Sequence, residues 1–286
     1  MSGLVFACIA PHGSEVIAEL AGDFVSRSAA TRWAMEEVGR RMAAAKPETV
    51  VVITPHGVRV KGAVCVMTTE RASGVLESEA TPGQEAARVE VDMAVDVELG
   101  IHIAEQAEVV YNIPTVTAIY GASGGDDCFA PLDWGAVVPL WFFGARWPNP
   151  PSIVSITPSR ALSLNQLYDF GAALAEAASK VGRRVALVAS ADWGHAHDPS
   201  GPYGFDPASA EFDEMVVNSI KANALDTLLS TDLDFADRAK VDGLWQAVML
   251  AGAFSHAPMS GELLSYEAPT YFGMLVASYE PNPTHA

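Results

Sequence analysis

Short apolar runs and longer amphipathic stretches take turns along the chain, and that alternation sets the first expectation. Residues 3–9 are largely apolar and read as a strand. Residues 29–46 carry helical spacing after Ser28, a suitable cap, with Glu36 and Arg40 one turn apart. The run VVVI at 50–53 is a short strand of the kind buried on both faces of a parallel sheet. Further strands are expected at 62–67, 115–120, 153–156 and 184–190, and helices over 90–108, 160–181, 207–229 and 242–254. Residues 263–266 and 270–278 read as a closing strand pair. The order predicts an α/β sandwich with a central mostly parallel or mixed sheet flanked by helices. No repeat or long linker divides the 286 residues, so a single domain over 1–286 is expected. Stretches 68–83 and 121–134 are rich in small and turn-forming residues. They read as loops that choose a substrate, together with Tyr203 and His256.

Composition narrows the function classes. Hydrophobic residues make up 50% of the chain, enough for a large core. No uncharged apolar run reaches about 18 residues, so no membrane-spanning helix is expected. The segment MSGLVFACIAPHG lacks a basic leader and reads as a strand entering a turn, not a signal peptide. A net charge of −18 repels phosphate backbones, which excludes nucleic acid as the expected partner. Cys8, Cys65 and Cys128 are odd in number and widely spaced, which points to a reducing cytoplasm, with Cys8 and Cys65 as small core residues. The apolar runs 141–143 and 271–272 suit a core, and equally the interface of a homo-oligomer or of a complex with a partner subunit.

Two segments repeat one arrangement: Ile9-Ala10-Pro11-His12-Gly13 and Ile53-Thr54-Pro55-His56-Gly57. In each an apolar strand ends in Pro-His-Gly. Proline stops the ladder, and glycine permits an unusual backbone angle or a close approach. A histidine is thereby presented at the carboxyl end of a strand, where open α/β sheets bind ligands. A third polar segment, Ser190 to Asp198, follows the strand RVALVAS and offers His195 and His197 for proton transfer. A metal held by two histidines calls for an anionic third ligand. The 2-His-1-carboxylate set leaves positions open at non-haem Fe(II), and zinc accepts the same donors. The candidate carboxylates are Asp242, Glu211, Asp192 and Glu15. Asp242 also stands where it could cap the late apolar helix.

Taken in order, these segments resemble the class III extradiol dioxygenase superfamily, which includes the catalytic subunit of protocatechuate 4,5-dioxygenase. The resemblance runs through Ala10-Pro11-His12-Gly13, Thr54-Pro55-His56-Gly57, Leu132-Asp133-Trp134-Gly135 with Val138-Pro139-Leu140, and Ser190 to His195. It continues through Gly201 to Pro207, Glu211-Phe212-Asp213 and the helix from Gly243-Leu244 to Gly252-Ala253. The resemblance implies that His12, His56 and Asp242 hold Fe(II) and that His195 is the acid/base residue. It implies an enzyme that opens the ring of a catechol or o-aminophenol with O2. Two departures stand out. Many relatives carry histidine where this chain has Trp134, and indole donates a hydrogen bond but does not titrate. The family's usual glutamate ligand falls at Val241, with Asp242 beside it. These departures leave a second expectation open: a non-catalytic metal-binding relative or partner subunit of the same fold.

Overall fold

A computed structural model describes residues 3–78, 85–121 and 128–282. Strand β1 (Gly3–Ala10) is followed by two short 3-10 turns, helix α1 (Ala29–Ala45) and strand β2 (Thr49–Ile53). Strands β3 (Val64–Met67), β4 (Arg71–Glu77) and β5 (Arg88–Ala94) precede helix α2 (Val97–Glu105). Strands β6 (Thr115–Ala118) and β7 (Ala130–Pro131) lead to helix α3 (Trp134–Phe142). Then come strand β8 (Ser152–Thr157), helix α4 (Leu164–Val181) and strand β9 (Arg184–Ser190). Helices α5 (Ala208–Lys221), α6 (Leu233–Ala239) and α7 (Leu244–His256) are followed by strands β10 (Met259–Glu267) and β11 (Met274–Pro281).

The protein has the expected α/β architecture, built on an eight-stranded mixed sheet in the order β10-β11-β1-β9-β2-β8-β3-β6. Its four middle strands, β1, β9, β2 and β8, are mutually parallel. Strand β3 runs antiparallel to β8, and β11 antiparallel to β1. Every residue of β1 and β2 is buried, which explains their unbroken apolar runs. One face packs Val51 and Ile53 against α2, α4 and α7, through Leu99, Phe170 and Leu250 among others. The other packs Val50 and Val52 against α1 and α3, through Met35, Val38 and Val137. Phe142, Phe143 and Phe272 are core residues, as are the free thiols of Cys8 and Cys65. Among the described residues, no helix is long and apolar enough to cross a membrane.

Most strands and helices expected from the apolar pattern form with ends shifted by a few residues, but the helix expected over 207–229 stops at Lys221, and residues 225–230 form a separate 3-10 turn. The main difference lies at 90–108. Arg88–Ala94 is a strand in strict alternation, burying Val89, Val91 and Met93, and the helix begins only at Val97, where Asp96 caps it. The stretches read as loops contain β4 and β7, which join β5 in a separate three-stranded sheet. Residues 79–83 and 122–127 of those stretches lie outside the described residues.

Candidate metal centre

Because the four middle strands are parallel, their carboxyl ends open on one side, where a cavity of about 770 Å³ sits. His12 follows β1, His56 follows β2, Arg160 follows β8, and Asp192 and His195 follow β9; all five line it. The glycines after the two histidines serve close approach. Neither takes left-handed backbone. A Cβ on Gly13 would stand 2.7 Å from Glu15 Oε2, and one on Gly57 would overlap Thr157 Oγ1.

His12, His56 and Asp242 each offer one ligand atom to a common point. His12 Nε2 and His56 Nε2 are 3.2 Å apart, and each lies 3.3 Å from Asp242 Oδ2. With bonds of roughly 2.1 Å, donors on one octahedral face sit about 3.0 Å apart and tetrahedral donors about 3.4 Å apart. The triangle falls between the two, so the donor set fits a divalent cation. Asp242 stands two residues before α7, and its other oxygen, Oδ1, accepts the Asp192 N–H at 3.1 Å. That leaves Oδ2 for the triangle.

The hydrogen bonds behind His12 set its tautomer. The Ser190 hydroxyl donates its one proton to the Gly135 carbonyl at 2.5 Å. It must therefore accept from His12 Nδ1–H, 2.9 Å away, which leaves the lone pair on Nε2, facing the triangle. Asp192 is a supporting carboxylate: it accepts the His12 backbone N–H at 3.1 Å and reaches only His12 of the pair, at 3.3 Å from Nε2. Burial alone would lower the proton affinity of His12, but Asp192 and Asp242 outweigh it and raise the ring to about 9. Burial tends to raise Asp242, but the charge of His12 and hydrogen bonds from His12 and His56 outweigh it, and the carboxyl stays well below its usual range. Asp192 moves the other way, pushed up chiefly by burial. A metal ion bound at this nitrogen would have to displace its proton.

His195 also lines the cavity, with its ring stacked on Phe272 at 5.4 Å between centroids. Its Nδ1 lies 2.5 Å from the Trp193 carbonyl oxygen. A carbonyl only accepts, so Nδ1 carries the proton and Nε2 the lone pair. Burial holds the ring's proton affinity below that of an ordinary histidine, opposed by Asp242 and the carbonyls of Trp193 and Lys240. Trp134, at the start of α3, stacks on His56. Trp245, Tyr203 and Tyr271 add further aromatic wall, and the Arg160 guanidinium lies 4.1 Å over the Trp245 ring.

Of the remaining candidates, Glu15 lines the cavity but does not join the triangle, and burial raises its carboxyl. Glu211 is exposed on α5, outside the cavity lining. His197 turns to Asp213 at 2.9 Å instead. His256 ends α7, at the opposite end of the helix from Asp242, and does not line the cavity. The contributions of Ser190, Arg160, Trp245 and α6 are not among the expectations the sequence supports. Only Ser190, at the end of an apolar strand, carried a usable signal.

Fold and site together define an α/β protein with a two-histidine, one-carboxylate cluster at the carboxyl edge of a parallel sheet. The chain belongs to the family of the catalytic LigB subunit of aromatic ring-opening dioxygenase, which it matches over residues 6–277. It is 28% identical over 270 residues to Protein CA_C1420 of Clostridium acetobutylicum, covering 94% of this chain and 56% of that protein. The chain thus spans little more than half the length of that relative. Its fold is similar to that of the uncharacterized protein JW3007 from Escherichia coli K12, with a TM-score of 0.55 at 13% identity over 96% of this chain and 99% of the other.

Proposed function

We propose that this chain is a non-haem Fe(II)-dependent, extradiol-type dioxygenase that opens the ring of a catechol or o-aminophenol with O2. The observation that carries the reading is the triangle of His12 Nε2, His56 Nε2 and Asp242 Oδ2 at an aromatic-walled cavity. Fe(II) held there would supply open positions at which two adjacent heteroatoms of the ring and O2 come together. The Ser190 hydroxyl keeps His12 in the ligating tautomer. His195, whose proton affinity burial lowers, takes the proton of a ring hydroxyl at Nε2 and returns it later as an acid. Trp134 and Phe272 offer flat walls to an aromatic substrate.

In this reading residues 1–286 form one catalytic domain that works in the cytoplasm, as a homo-oligomer or beside a partner subunit. A second reading, a non-catalytic metal-binding or partner subunit, draws on Trp134, which stacks on His56 and puts a group that does not titrate where a titratable ring would be.

The test is anaerobic loading with Fe(II), then a panel of catechols and o-aminophenols exposed to O2. The visible absorbance of a ring-opened product is expected for at least one member. Stoichiometric iron with no turnover of any member would overturn the enzymatic reading in favour of the second.

A further inference from the structure

His195 sits in a short segment whose backbone is fixed at every amide. Trp193 N–H donates to the Gly273 carbonyl at 2.9 Å, His195 N–H to Ala239 at 2.9 Å, and His197 N–H to Tyr271 at 3.1 Å. The two amides between them go to side chains, and both side chains belong to α5. Gly194 N–H donates to Asp213 Oδ1 at 2.7 Å, and Ala196 N–H to Ser209 Oγ at 2.9 Å. Asp213 is fully buried, and its second oxygen accepts from His197 Nε2 at 2.9 Å and Tyr266 Oη at 2.8 Å. Three donors thus converge on one carboxylate from two further parts of the chain. An amide in its place would turn an N–H toward at least one of them.

The peptide that joins Trp193 to Gly194 makes this more than a packing detail. A trans peptide is planar, with its C=O and N–H pointing in opposite directions. One end of this plane is the Gly194 N–H held by Asp213. The other is the Trp193 carbonyl that takes the Nδ1 proton of His195 at 2.5 Å. Asp213, the 193–194 peptide and the His195 imidazole form a single line of hydrogen bonds. A charged acceptor on the N–H also makes the carbonyl of the same peptide a stronger acceptor.

We infer that Asp213 is a positioning residue that acts on His195 through one peptide group, fixing the ring's tautomer and keeping the lone pair on Nε2. The inference rests on the reading of His195 as the acid/base residue. It assigns Asp213 a role in place of the bare structural one its burial suggests. Tyr266 and His197 complete the carboxylate's shell, on the oxygen that does not touch the peptide.

The experiment is ¹⁵N NMR of the histidine-labelled 286-residue chain, which has seven histidines. It reads the His195 tautomer without any need for turnover. The wild-type protein is expected to carry the His195 proton on Nδ1. In Asp213→Ala, which leaves the Gly194 N–H without its acceptor, the preference should be lost, and kcat should fall about 10²-fold, as for a displaced catalytic group. Tyr266→Phe also removes a hydrogen bond from Asp213 but leaves the peptide link, so its His195 tautomer should match wild type. A wild-type ring protonated on Nε2 would overturn the inference even if Asp213→Ala fails to fold. An unchanged tautomer in a folded Asp213→Ala would overturn it as well. Wild-type protein without turnover but with the expected tautomers would remove the dioxygenase reading and leave the peptide link standing.

Discussion

Trp134 lies face to face with His56, the ring centroids 4.1 Å apart and the planes inclined by 27°. The indole packs on one of the three candidate ligands, from the start of a helix whose Gly135 carbonyl also takes the Ser190 proton. Such a stack contributes about 0.5–1.5 kcal/mol beyond the area it buries. Trp134→Ala should therefore weaken divalent-metal affinity by roughly 3–10-fold. Competition with a chromophoric chelator checks this, and unchanged affinity would mean that the indole does not orient His56.

Ser190→Ala removes the acceptor behind His12 Nδ1 without touching the metal-facing nitrogen. Losing such an outer partner typically costs about 10–100-fold in affinity. The same competition titration should show a loss of that size, with metal stoichiometry retained at saturation.

The proton on His12 gives the metal-free protein a pH dependence of known sign. The folded-state value of about 9 lies above the ordinary histidine value, so the stabilisation is complete below about pH 6.5 and lost as pH rises through 9. Chelated protein should lose on the order of 2–3 kcal/mol of stability from this group between those limits. Metal-loaded protein should not, since the metal takes the proton's place. Urea denaturation at pH 6.5 and 9, with and without metal, reads the difference. An equal slope in both forms, or in His12→Gln, would refute the assignment to His12.

Helices α4 and α7 cross with their backbones in contact. A Cβ on Gly171 would overlap the Met249 carbonyl, and one on Gly252 the Tyr168 carbonyl. Gly171→Ala or Gly252→Ala should destabilise by about 1–3 kcal/mol or more through overpacking. Because Asp242 stands just ahead of α7, both variants should also bind metal less tightly. Thermal denaturation beside metal titration tests the two effects together.

Much of the centre was legible because its signals are local. Pro-His-Gly after an apolar run places His12 and His56 at strand ends, and the start of an apolar helix after Asp242 places the carboxylate at a helix entrance. The segment after RVALVAS placed His195 at the same edge. What was not legible depends on partners distant in sequence. Asp192 and Asp242 are both carboxylates near strand or helix ends, and only the fold shows that Asp242 meets both histidines while Asp192 meets one. Helix α3 has no mark in the sequence because WGAVVPLWF is apolar throughout, with Pro139 inside it, so no periodicity shows. Strand β5 was absorbed into a helix because its alternation runs directly into the true helical spacing of α2. The Trp134 stack on His56 has no sequence signature beyond the presence of an aromatic residue.

In the proposed centre His12, His56 and Asp242 hold one metal ion while Asp192 only supports them. Metal analysis after anaerobic Fe(II) loading tests it most directly, on wild type beside His12→Ala, His56→Ala, Asp242→Ala and Asp192→Asn. One iron per chain is expected in wild type, loss of iron in the three ligand variants, and weakened but stoichiometric iron in Asp192→Asn. Full iron retained in Asp242→Ala, or lost in Asp192→Asn alone, would contradict it.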